Sequence, residues 1–206
     1  IPVSPEEAVS GGGVVDAYID RLTGEIRQRD DANGLEADSV YFGGGTPSML
    51  NQDGIARIIE ALRKTFRFDA DTEISIEFNP EDFTEIKIHD LAGAGVNRVT
   101  MGVQSLDEAT RAALGRSTRA PDAEMLERFR SIGSVTHGVD IIAGVPPRTT
   151  TSFIRELEAI TRLRFEHISA YLLAVDRETP LFGRIKQDER FEETQISDYR
   201  AMVDFL

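Results

Sequence analysis

The 206-residue chain contains no cysteine. Its own residues can therefore form no disulfide and can offer no thiolate to a metal. Histidine is scarce too. His89, His137 and His167 lie far apart in sequence and make no ligand-spaced pair, which suits surface or packing roles better than metal binding. No apolar run reaches the ~18 residues of a membrane span. The opening "IPVSPEEAVSGGG" has neither the basic stretch nor the apolar core of a secretory signal. A cytoplasmic location is therefore expected. Positive charge is in the minority: 23 Lys and Arg face 36 Asp and Glu, for a net charge of −13. An acidic surface repels phosphate backbones, which argues against nucleic-acid binding as the main task.

Apolar residues at 40% and charged residues at 29% fit one soluble globular domain. The chain is long enough to bury a substantial core. After a loop at 10–13, residues 14–26 carry Val15, Tyr18, Ile19, Leu22 and Ile26 at helical spacing. "DSVYFGGG" (38–45) reads as a short strand ended by glycines. Residues 53–66 form the next helix, with Asp53 as the expected N-cap. The alternation repeats. Strands are expected over 73–80, 97–105, 137–147 and 167–175, and helices over 84–95, 120–133, 151–163 and 192–206. Five strands alternating with helices predict a parallel sheet with helices outside.

Both an open sheet and a barrel fit that alternation. In a barrel every strand's C-terminal end faces one site; in an open sheet only the strands beside a switch point do. Polar or backbone-special residues end nearly every strand here: Gly43–Thr46, Glu77 with Asn79, Gln104 with Ser105, Asp140, and the exit 174–176. That distribution favours a barrel. Five strands are too few to close one, so the expectation is a partial barrel, open on one side or without its first strand.

The chemistry sits at those strand ends. "GGGTP" is followed by no Gly-Lys-Ser/Thr and has Ser48 where a dinucleotide fingerprint needs glycine. Its bare amides suit a carboxylate or other anionic group, unless it is a plain tight turn. Glu77 could accept hydrogen bonds from hydroxyls or an amine, or make a strand-end salt bridge. Gln104 could bind ligand or be a solvated turn residue. Arg116 could clamp a carboxylate or lie on the surface. Asp140 stands in the apolar run "GVDIIAG", where a buried carboxylate needs either a structural partner or a ligand.

Taken together, "YFGGGTPSML", "ISIEFNPEDFT", "GVNRVTMGVQSLDEATRAALGR", "VDIIAGVPPRT" and "HISAYLLAVDRETPLF" resemble the radical S-adenosylmethionine (SAM) superfamily. More closely they resemble the oxygen-independent coproporphyrinogen III oxidase family, with its HemW-type haem-chaperone branch favoured over the true oxidases. The resemblance runs from about Tyr18 to Leu206. It implies an α/β fold, a partial (β/α)6 TIM-like barrel, with residues 1–206 as a partial radical SAM core. It implies a [4Fe–4S] cluster on a CxxxCxxC loop, reductive SAM cleavage to a 5′-deoxyadenosyl radical, and a task in porphyrin or haem metabolism. Partners would be SAM, a porphyrin or haem, and an electron-donor protein.

Carried onto this sequence, the resemblance implies that Gly44 approaches the SAM methionyl group and that Glu77 contacts the same SAM. Gly45, Thr46, Gln104, Arg116, Asp140 and Ala174 would line a second SAM or substrate site. The Cys loop itself is missing. Its expected place is just upstream of Ile1, either outside these residues or lost from a cluster-less SAM- or haem-binding protein. The 206-residue chain alone is expected to be catalytically inactive. A βα-barrel enzyme of another kind remains the bland alternative.

Overall fold

The computed structural model describes residues 13–29, 31, 34–116, 118–185 and 190–206. The loop expected at 10–12 lies outside them. The chain divides into two compact units. The first holds the residues up to Thr100 together with Ile132–Thr136; the second holds Met101–Ser131 and His137–Leu206. The five expected strands are present and lie in one sheet in sequence order.

In the first unit, helix α1 (Gly13–Arg27) precedes strand β1 (Ser39–Phe42), helix α2 (Gln52–Thr65), strand β2 (Glu73–Phe78) and helix α3 (Glu85–Ala94). β1 and β2 pair in parallel from Ser39 opposite Glu73 to Phe42 opposite Ile76. Ile74, Ile76 and Phe78 of β2, Ile55, Ile58 and Ile59 of α2, and Ile88 and Leu91 of α3 are all buried. Three consecutive β2 residues are buried because both faces of a parallel strand are covered. α1 runs beside α2, where Arg57 meets Asp16 at 3.4 Å and also pairs with Asp20.

The helix starts differ from expectation at one point. Asn51, not Asp53, caps α2: its side chain accepts the Gly54 N–H at 2.8 Å. Asp53 falls in the first turn, where its charge suits the positive end of the helix dipole. Gly95 closes α3 with φ 109°, as a left-handed C-terminal residue should.

Strand β3 (Arg98–Gln104) begins in the first unit and ends in the second. There follow helix α4 (Glu108–Ala113), helix α5 (Ala123–Arg130), strand β4 (Thr136–Ala143), helix α6 (Thr150–Arg162), strand β5 (His167–Leu172), helix α7 (Pro180–Ile185) and helix α8 (Phe191–Phe205). α4 is a short helix ahead of Arg116, as the sequence suggests; α7 is a short helix absent from the sequence reading. β4 and β5 pair in parallel from Gly138 opposite His167 to Ala143 opposite Leu172. The second core holds Met101, Val103, Leu126, Phe129, Val139, Ile141, Phe153, Leu157 and Ile160.

Candidate functional site

β1 runs directly into Gly43, Gly44 and Gly45. Gly44 has φ 107°, a conformation that residues with a side chain rarely adopt. Around Gly44 and Gly45 the positions a Cβ would take are open. At Gly43 the ring of Tyr41 occupies that position instead. The turn thus presents two exposed, side-chain-free peptide units at the C-terminal end of a strand. Thr46 and Pro47 follow and start a single 3-10 turn at Pro47–Met49.

Glu77 stands near the end of β2, half-buried, and accepts a hydrogen bond from the Tyr41 hydroxyl. Parallel register accounts for the pairing. Tyr41 sits opposite Ser75, and Glu77, two residues on, shares that face of the strand. A second contact ties the segments that follow these two strands. Ser48, fully buried, donates from Oγ to Asp82 Oδ2 at 2.7 Å. Sequence reasoning missed both Tyr41 and Ser48. Neither has a spacing signal, because each pairing depends on strand register.

Beside this turn lies a cavity of about 500 Å³. α1 lines it with Tyr18, Leu22 and Ile26, β1 with Val40 and Phe42, and α2 with Ile58 and Leu62. Gly43, Gly45, Thr46 and Pro47 close one end. The described residues of the first unit therefore bring Gly44, Gly45, Thr46 and Glu77 to neighbouring strand ends, with an apolar hollow behind them.

The second unit carries the other four candidates. Gln104 ends β3 with φ 65°, a left-handed conformation for a residue with a full side chain. Asp140 is half-buried in β4 and sits opposite Ser169 of β5. Arg116 follows Gly115, whose φ is 78°, and donates its N–H to the Arg111 carbonyl at 2.9 Å. Ala174 is exposed, just past the end of β5.

Among the described residues no group of three or more His, Asp or Glu side chains could hold a metal ion. His137, at the opposite end of β4, is buried against Phe129 with ring centroids 4.9 Å apart and has Glu166 at 3.6 Å from Nδ1. It belongs to packing, as the sequence suggested.

Comparison with known proteins fits this geometry. Residues 13–160, well over half of the chain, match the Radical SAM superfamily. The mitochondrial radical S-adenosyl methionine domain-containing protein 1 of Bos taurus is 34% identical over 73% of this chain and 34% of its own length. The oxygen-independent coproporphyrinogen III oxidase of Salmonella typhimurium is 35% identical over 76% of this chain and 35% of its own. The haem chaperone HemW of Lactococcus lactis is 28% identical over 84% and 45%. The solved coproporphyrinogen III oxidase HemN of Escherichia coli, a radical SAM enzyme, superposes on 93% of this chain and 45% of that one, with TM-score 0.75 and 29% identity. That likeness gives this chain the partial α/β barrel fold that the strand ends suggested. The chain spans less than half the length of these relatives.

Proposed function

Because the chain belongs to the Radical SAM superfamily, we propose that it is the SAM-binding core of a protein of the oxygen-independent coproporphyrinogen III oxidase family, acting in porphyrin or haem metabolism. The observation that carries the reading is the Gly43–Gly45 turn. It offers bare backbone, with φ 107° at Gly44 and open space at Gly44 and Gly45, one strand away from the Glu77 carboxylate.

The residues present fit SAM. Peptide N–H groups of the turn can receive the amino-acid carboxylate, and Glu77 can accept from an amine or hydroxyl. Gly45 and Thr46 extend that surface, and Gln104, Arg116, Asp140 and Ala174 are proposed to line a second SAM or substrate site. When bound and reduced, SAM supplies a carbon radical that abstracts hydrogen. The chain's part is to bind and orient: glycines admit the ligand's backbone-like end, and Glu77 fixes the register of its polar groups.

The residues present do not fit an iron–sulfur cluster. Such clusters are held by thiolates, and the chain has none. The ligands are proposed to lie on a segment outside these 206 residues, with the electron donor acting there. The spelling of "EFNPEDFT", "GVQS", "LGR" and "RETPLF" favours a HemW-like haem-handling role. The 35% identity to a coproporphyrinogen oxidase favours oxidative decarboxylation as the second reading.

The test uses the full-length gene product, purified and reconstituted without oxygen. It should carry about four iron atoms per chain and release 5′-deoxyadenosine from SAM under reduction. Haem capture without loss of coproporphyrinogen carboxyl groups then supports the chaperone role; decarboxylation supports the oxidase. Full-length protein with no iron and no cleavage overturns both and leaves a cluster-less SAM- or haem-binding protein.

A further inference from the structure

We propose that Glu156, Arg148 and Ser105 form a buried clamp that holds Gln104 in its left-handed conformation for ligand binding. The inference rests on the reading of Gln104 as a cofactor-site residue. β3 does not simply stop at Gln104. The Ser105 N–H turns back to the Val103 carbonyl at 2.8 Å, which closes a three-residue turn centred on Gln104 at φ 65°. Turns of that kind are rare and strained for any residue with a Cβ, and glycine would enter the conformation freely. The chain places glutamine there instead, so the surrounding structure must hold the turn shut.

Both peptide neighbours of Gln104 are gripped from the interior. On one side, Val103 O accepts from Arg111 Nη1 at 2.6 Å, and Arg111 is 1% exposed. On the other, Ser105, wholly buried, donates from Oγ to Glu156 Oε2 at 2.8 Å. The same carboxylate oxygen accepts the Leu106 N–H at 3.0 Å. Glu156 belongs to α6, so a helix distant in sequence fixes the exit from β3.

Its charge is answered in turn. Arg148 Nη1 lies 3.4 Å from both Glu156 oxygens, and Nη2 reaches the Ile142 carbonyl at 2.7 Å and Asp198 Oδ2 at 3.4 Å. Asp198 also receives the Gly144 N–H at 2.8 Å, just past β4. Buried charges are costly to desolvate, and an ordinary surface turn needs none. A set of buried charges converging on one strained turn makes Glu156 and its partners positioning residues for Gln104.

Calorimetric titration of the full-length protein with SAM tests this. Gln104→Ala should weaken SAM binding by about tenfold, the worth of one or two hydrogen bonds. Glu156→Gln should weaken it to a similar extent, and the Gln104→Ala, Glu156→Gln double variant should bind no worse than Gln104→Ala alone. That non-additivity is the signature of action through Gln104, which a purely structural loss would not give. If Glu156→Gln does not fold, Ser105→Ala, which removes one hydroxyl, is read in the same cycle. Unchanged SAM affinity in Glu156→Gln or Ser105→Ala, beside a weakened Gln104→Ala, overturns the clamp alone. So does a loss of equal size in both backgrounds. Wild-type affinity in Gln104→Ala overturns the reading of Gln104 itself, and the clamp with it.

Discussion

His137 makes the first prediction at the residue scale. Burial pushes its imidazole below the usual range; Glu166 pulls it back in part, and Arg130 works against protonation. Among the described residues neither ring nitrogen has a hydrogen-bond partner, so the neutral form is the one packed against Phe129. The unfolded chain protonates a histidine near its ordinary pKa of about 6.5, before the folded chain does. Stability is therefore full above that value and falls as pH drops below it, until the folded pKa is reached. The slope contributed is at most ~1.4 kcal/mol per pH unit. Urea unfolding at several pH values should show this slope in the wild type, and His137→Phe should lose it. An unchanged pH profile in the variant would count against the assignment. Glu77 differs: its partner is a phenol on the adjacent strand, so the carboxylate stays half-exposed at the strand end rather than locked in the core.

At the scale of elements, helix α2 separates two residues that look equivalent in sequence. Asn51 and Asp53 both precede an apolar periodic run. Only Asn51 has extended backbone, with φ −79° and ψ 169°, and so can turn its side chain onto the Gly54 amide. Asn51→Ala should cost about 1 kcal/mol of unfolding free energy. Asp53→Ala should cost less, because Asp53 contributes only a dipole interaction and an exposed ion pair to Arg57 at 4.0 Å. Urea midpoints of the two variants check the order. The strand ends teach the same lesson. The three glycines marked the turn after β1, whereas the turn at Gln104 has no glycine to announce it. Its shape comes from Arg111 and Glu156, seven and 52 residues further along the chain than Gln104.

At the scale of the whole molecule, the absence of cysteine governs what this chain can do by itself. Reconstituted with iron and sulfide, the 206-residue chain should retain no four-iron cluster and should release no 5′-deoxyadenosine from SAM, as measured by metal analysis and chromatography. Release of 5′-deoxyadenosine would overturn the assignment of cluster ligands to another segment. SAM binding without cleavage is the outcome the glycine turn supports.

The βα alternation, its five strands and their parallel pairing were legible because they follow from apolar periodicity and breaker residues, which act over a few positions. The family followed from ordered motifs at the strand ends. What the tertiary structure alone decided were pairings between residues remote in sequence: Tyr41 with Glu77, Ser48 with Asp82, and Ser105 with Glu156. Strand register and helix packing choose these partners, and neither leaves a local trace. For the same reason no local signal marks Asp198 within its helix, where it lies fully buried on Arg148 and the Gly144 amide.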